Sequence, residues 1–239
     1  MLDPGARLYL KLLATLIVLM PAGLKAAAAP VGEATRIVRF AYQSETTSSR
    51  SPLYRLDPIH EGALLETIPT GAMQVRFEDD GVLTLGSNSR LRVDRLVHAP
   101  GGSGEQSLAL ARGVFRFVSG TIPKNSVRLN TPTVSIGIRG TILKVQVNDD
   151  GVGTVYFAHG KGFVENREGR HVPVEEGERV ELTANGGIGQ PTRSAFNAGD
   201  HSVDQGLQAF GVIFGGPGAG SGGNGGTGNS GPVDSTTSP

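Results

Sequence analysis

From about Arg36 to Leu182 the chain is interrupted roughly every ten residues by clusters of Gly, Pro, Asn and Asp, and the stretches between are rich in Val, Ile, Leu, Phe and Thr. Stretches this short suit strands and leave no room for amphipathic helices of ordinary length. Gln74-Val75-Arg76-Phe77-Glu78, Leu83-Thr84-Leu85 and Arg90-Leu91-Arg92-Val93-Asp94 alternate apolar with polar residues, so each strand buries one face and wets the other. The expected fold class is therefore all-β: a two-layer β-sandwich or a flattened β-solenoid of about a dozen short strands. Its core is expected from Val75, Phe77, Leu83, Leu91, Val93, Phe115, Phe117, Ile136, Ile138, Val145, Val147, Val155, Phe157 and Val180.

What surrounds this region has a different character. Arg7 and Lys11 flank the start of an apolar run from Leu8 to Met20, followed by Pro21-Ala22-Gly23 and then Ala26 to Ala29. The run is shorter than the roughly 20 residues a membrane span needs, and the alanines supply a small-x-small cleavage pattern. Residues 1–28 read as a signal peptide cleaved after Ala28, with cleavage after Ala29 second because it would leave Pro30 at the first mature position. An uncleaved anchor is the competing reading. At the other end, ten of the last 25 residues are glycine, with one charge among them. Such a segment has too little apolar surface to offset the entropy of ordering, so 215–239 is expected to be a disordered tail. The segment 186–214 is a poorly defined extension in which only Val203 to Phe214 has the makings of a short helix, weakened by Gly206 and Gly211.

Two hairpins share their turn letters. Val75 to Leu85 and Val145 to Val155 both reverse at Asp-Asp-Gly, where aspartate tolerates and glycine freely adopts positive φ. A tight turn explains these acids better than Ca²⁺, because neither loop carries the further oxygen ligands that ion requires. The matched hairpins raise the idea of two similar halves, and segment 99–106, Ala-Pro-Gly-Gly-Ser-Gly-Glu-Gln, is the longest expected loop inside the domain.

The most specific residues lie in the middle of the chain. Phe77-Glu78-Asp79-Asp80-Gly81, Leu83-Thr84-Leu85-Gly86-Ser87-Asn88-Ser89, Val114-Phe115-Arg116-Phe117-Val118-Ser119-Gly120 and Asn130-Thr131-Pro132-Thr133-Val134-Ser135-Ile136-Gly137-Ile138-Arg139-Gly140-Thr141 follow in that order. Together they resemble the FecR domain family, over about Gly32 to Leu182, with a domain expected at 32–185. Gly137, Arg139, Gly140 and Thr141 are the family-motif residues. Read physically, the two glycines permit a bulge or a close backbone approach, and Pro132 starts or edges a strand. Arg139 is expected to be largely buried there, held by a carboxylate or by backbone carbonyls; the alternative is a grip on a partner's carboxylate. The resemblance also implies limits. Members that regulate iron uptake join a cytoplasmic anti-sigma segment, through a transmembrane helix, to a periplasmic part that reads an outer-membrane transporter. Few residues precede the apolar run here, so this chain is expected to resemble instead the exported proteins in which the domain stands alone.

Composition narrows the chemistry. The absence of cysteine excludes disulfides, thiolate metal sites, a cysteine nucleophile and a lipoprotein acylation site. With 22 basic and 22 acidic residues there is no charge excess for nucleic acid or for an anionic membrane. No nucleophile elbow, His-Glu-x-x-His, P-loop or dinucleotide fingerprint is present. His60, His98, His159, His171 and His201 show no ligand spacing, and Glu175, Glu176 and Glu178 read as solvated acids of a turn. No catalytic, cofactor or metal residue is expected. The expected role is a non-enzymatic, periplasmic or secreted module that binds another cell-envelope protein as sensor, adaptor or scaffold, using strand edges or an exposed face. It should bind no nucleic acid and have no stable membrane span once the signal is removed. The alternative is an envelope polysaccharide binder with weak hydrolase activity carried by turn carboxylates such as Asp79 and Asp80.

Overall fold

The computed structural model describes residues 29–45, 50–98, 104–123 and 126–193. All regular structure among them is β. In chain order the strands are β1 (Pro30–Val38), β2 (Ala41–Ser44), β3 (Ser51–Leu53), β4 (Pro58–His60), β5 (Leu64–Thr67), β6 (Ala72–Phe77), β7 (Val82–Leu85) and β8 (Arg90–His98). They are followed by β9 (Gly104–Val118), β10 (Val127–Asn130), β11 (Val134–Val147), β12 (Gly153–Asn166), β13 (His171–Val174), β14 (Glu178–Leu182) and β15 (Thr192–Arg193). Most are short, as the turn spacing predicts. Three are not: β9 has 15 residues and β11 and β12 have 14 each.

These long strands organise everything else, because each has different neighbours along its two halves. The first half of β9 pairs with β8 and, in parallel, with β10; its second half pairs with β7 and β11. The first half of β11 pairs with β10, its second half with β9, and β12 flanks it throughout. β12 then pairs with β14 before its midpoint and with β13 after it. One layer therefore runs β14-β12-β11-β9-β7-β6-β1-β4 and the other β13-β12-β11-β10-β9-β8-β5-β2-β3. A single hydrogen-bonded sheet is folded over on itself, which makes a two-layer sandwich.

Where it changes layer each long strand carries a glycine with positive φ: Gly140 at 63° and Gly160 at 78° lie side by side, and Gly113 at 110° lies at the other end of the β9–β11 ladder, beside Val147. An L side chain rarely adopts that backbone, so glycine lets a strand leave one layer for the other without breaking. At Gly113 space is also closed. A Cβ there would lie 2.2 Å from the Ser89 hydroxyl oxygen and 2.4 Å from its Cα.

The inward faces make one continuous core. Each apolar residue expected inside is there, none more than 2% exposed, and Phe115 and Phe117 stand beside each other with ring centroids 6.1 Å apart. Burial on this scale stabilises the domain without cross-links, since each buried large apolar side chain contributes about 2 kcal/mol.

Three expectations change. Segment 99–106 is not all loop: 104–106 begin β9, where Gln106 faces inward opposite Leu96 and Val127. The fold also runs past 185, because Ile188 bridges to Leu182 and β15 pairs with Glu178 and Arg179 of β14. Ile188 is apolar and 3% exposed, so this return segment adds to the core and covers the outer edge of β14. The third concerns the two Asp-Asp-Gly hairpins, whose shared letters occupy different turn positions. One closes on Phe77 and Gly81, the other on Asn148 and Val152, so the positive φ falls on Asp80 in the first and on Gly151 in the second. The signal peptide, the helix considered for 203–214 and the tail 215–239 lie outside the described residues.

At the β8 bulge between Val93 and Arg95, burial raises the Asp94 carboxyl above its usual range, and the Arg92 guanidinium partly offsets this. A raised carboxyl makes the ionised form costly to the fold above its folded pKa, and the cost is relieved as pH falls through that value. Asp94→Asn should therefore stabilise the protein at pH 7, with the gain shrinking in acid; melting curves across pH check this. Gly113→Ala should cost about 3 kcal/mol, combining strained φ with overpacking. Gly169→Ala, also at positive φ (82°) but with open space around it, should cost only about 1 kcal/mol in urea denaturation.

Candidate functional site

The residues that carry the family resemblance lie far apart in sequence, and the fold brings them to its corners. The Asp79 carbonyl accepts from the Thr121 N–H at 2.7 Å, and a Cβ on Gly120 would sit 2.0 Å from that same oxygen. The first Asp-Asp-Gly turn and the Val-Ser-Gly at the end of β9 are thus locked together. Ser89 ties the next corner. Its hydroxyl donates toward the Gly86 and Val114 carbonyls and accepts from the Val114 N–H at 3.0 Å, while its own N–H donates to Thr67 Oγ1 at 2.9 Å. Thr133, from the Thr-Pro-Thr, reaches the second turn: its hydroxyl donates to the Gly151 carbonyl at 3.3 Å, and a Cβ on Gly151 would strike its methyl at 2.4 Å.

Gly137, Arg139, Gly140 and Thr141 form the bend of β11. Gly137 lies under Phe163, whose ring would meet a Cβ at 2.2 Å and itself stacks on His171 with centroids 4.4 Å apart. Gly140 provides the fold line, and Thr141 continues the strand. Arg139 is exposed, contrary to the buried anchor expected for it. The reason is parity: Ile136 and Ile138 face the core, so Arg139 faces out, opposite Lys161 of β12. The outward face of β12 and its neighbours is laced with polar contacts to acids, His159 Nδ1 with Glu176 at 3.0 Å, Lys161 with Glu175 at 3.7 Å and His171 Nδ1 with Glu165 at 3.8 Å. Such exposed pairs contribute little to stability.

The acids of the first turn also divide. Asp80 is exposed, but Asp79 is 1% exposed, with Oδ1 accepting from the Gly81 N–H at 3.1 Å and Oδ2 buried without a hydrogen-bond partner. A carboxylate enclosed in this way is not a solvated turn acid and offers no contact to a polysaccharide. The end of β9 is the cause: Gly120 and Thr121 close over Asp79, whereas Asp149 and Asp150 of the second turn are exposed and Arg112 pairs with Asp149 at 3.3 Å.

Two of the open clefts adjoin the Asp-Asp-Gly turns. One, of about 410 Å³ between β1, β4 and β6, is lined by Glu33, Leu56, Arg76, Glu78 and Asp80, with Arg76 and Glu33 paired at 3.2 Å. The other, of about 530 Å³, lies near the β9 fold line, where the Arg112 Nε and Gln146 Oε1 are buried without partners and Thr154 donates to Glu181 at 2.7 Å. Neither is lined by a histidine, and both are suited to polar contact. Among the described residues no three His, Asp or Glu side chains come together as a metal site. Ala29 is exposed directly before β1, and Ala28 lies outside the described residues.

Residues 63–161 match the family model described as FecR protein, a segment running from the start of β5 to just past the fold line of β12. No curated protein matches the chain. Two crystal structures of a candidate anti-sigma factor from Parabacteroides distasonis ATCC 8503, at 1.65 and 2.50 Å resolution, are similar over 55% of this chain at 16% identity and a TM-score of 0.46. The match spans 59% of that protein's length.

If the motif is architectural, its members differ sharply in tolerance. Gly120→Ala should cost about 3 kcal/mol because the new methyl meets backbone. Arg139→Ala should change stability by no more than about 0.5 kcal/mol. Paired urea titrations of the two variants measure the contrast.

Proposed function

From a chain whose residues 63–161 carry a FecR domain, we infer a non-catalytic module of the bacterial cell envelope that works by binding another envelope protein, as sensor, adaptor or scaffold. The family match carries this reading, since regulatory members of the family act through protein partners rather than through chemistry on a substrate. The placement of the motif supports it. The family residues hold corners and crossings, which leaves the outward faces free to differ from one protein to the next. Export fits the same picture. A signal peptide removed after Ala28 leaves β1, which starts at Pro30, complete. The absence of cysteine is no handicap in an oxidising compartment when the core spans both layers.

The mode of contact can be narrowed. Pro52 sits in β3, Pro58 in β4 and Pro173 in β13, the strands that end the two layers, and the return segment ending in β15 covers the outer edge of β14. Proline removes a ladder donor and discourages pairing with a further strand. A partner is therefore received on a face or at the loops, not by strand addition.

Crosslinking the tagged protein in living cells, with mass spectrometry of its partners and of its mature terminus, tests this reading. We expect a terminus at Ala29, the protein in the envelope fraction, and a reproducible membrane regulator or transporter in the catch. Uncleaved protein in the cytoplasm would overturn export, and a catch of wall fragments alone would favour the polysaccharide reading.

A further inference from the structure

The outward face of the layer that ends at β14 is covered where an open sheet would be wet. One ladder row runs across it from Thr192 of β15 to Arg36 of β1, through Arg179, Tyr156, Lys144, Arg116 and Thr84. Leu143 and Val145, on either side of Lys144, face the core, so by alternation Lys144 and its row partners point out. Yet Lys144 is 5% exposed, Tyr156 9% and Thr84 0%. Ala72 and Val114 on the same face are also buried, and with Tyr156 they stand apart from the core cluster. A lysine on an open sheet keeps its ammonium in water, and burial to this degree requires both a cover and a partner for the charge. All fifteen strands belong to the two layers, so no described strand lies across this face.

The middle of the face is cationic. At its margins Glu33, Glu181 and Asp149 each have an arginine beside them, Arg76 at 3.2 Å, Arg179 at 3.6 Å and Arg112 at 3.3 Å. Between those margins β6, β7, the second half of β9 and β11 contain no aspartate or glutamate, and their row holds Arg116 and Lys144. Beside that row Val82, Val118 and Ile142 are half-buried ladder neighbours that also point out. A cover for this face has to bring acids and apolar side chains together.

The chain's own continuation has that chemistry and begins at the end of the row. β15 ends at Arg193, one residue past Thr192. Residues 194–214 lie outside the described residues; their sequence contains Asp200 and Asp204 and no Lys or Arg, and Val203, Leu207, Phe210 and Phe214 recur at helical spacing. From Arg179 to Arg36 the row crosses six strand spacings, about 29 Å. An extended 194–202 followed by a helical 203–214 would reach roughly 45 Å, enough to cross it. We propose that segment 194–214 seats on this face as a tethered cover, with Asp200 and Asp204 over Lys144 and Arg116 and with the Val203, Leu207, Phe210 and Phe214 stripe against Tyr156 and Val118. Gly206 and Gly211 make such a helix weak in isolation, and the apolar face supplies what it lacks.

The test is zero-length carbodiimide crosslinking of the full chain, purified as it accumulates in cells, in an equal mixture of isotope-labelled and unlabelled protein that separates links within one chain from links between two. Peptide mass spectrometry should find Lys144 joined to Asp200 or Asp204 within one chain. Lys161, whose side chain is 58% exposed and lies 3.7 Å from Glu175, is the internal reference. Leu207→Ser with Phe210→Ser should lower the Lys144 link about tenfold and raise acylation of Lys144 by an amine-reactive ester to a similar extent, while the Lys161–Glu175 link, which reports the folded domain, stays. Asp200→Asn with Asp204→Asn should abolish the Lys144 link. A Lys144 acylated as fast as Lys161 in the unaltered protein overturns the proposal, as does protection that survives Leu207→Ser with Phe210→Ser. Lys144 links that join labelled to unlabelled chains overturn it too, because the cover is then a second copy.

Discussion

Everything in this fold depends on three strands being able to leave one layer and enter the other without losing their hydrogen bonds. Gly113, Gly140 and Gly160 allow it, each adopting a positive φ where β9, β11 and β12 cross. The bends of β11 and β12 lie side by side and that of β9 lies at the other end of the β9–β11 ladder, beside Val147, so the sheet turns at both ends and closes over its own apolar face. The core is then shared between layers that are covalently the same strands. No disulfide is required, and no alternative packing of separate sheets competes.

This arrangement explains why a sequence motif can be specific without being a chemical site. Gly137 admits the Phe163 ring, Gly120 admits the Asp79 carbonyl, and Ser89 gathers four hydrogen-bonding groups of the chain around the β9 bend. Each of these residues is fixed by what presses against it. Arg139, the one charged member of the glycine-rich segment, is exposed. Architecture accounts for these motif residues.

The strand content and the buried face were legible because period-two alternation is a local property, readable at Val75 and Phe77 or at Leu91 and Val93 without knowing the partner strand. The length of β9, β11 and β12 was not, because a glycine within an apolar run reads equally as a turn between two strands or as a bend within one. The same ambiguity misplaced Asp79. Its turn and that of Asp149 have matching letters, and only the fold shows that Gly120 and Thr121 close over Asp79 while Asp149 and Asp150 stay exposed. Parity likewise decides Arg139, through Ile138 beside it.

Native-state hydrogen exchange followed residue by residue is the most direct test of the central claim that one folded-over sheet is the structural unit. The account predicts that amides on both sides of Gly113, Gly140 and Gly160 exchange only through global unfolding, with the same free energy in the two layers. Exchange through separate openings, with the β8 and β10 layer released while the β7 and β14 layer stays protected, would contradict it.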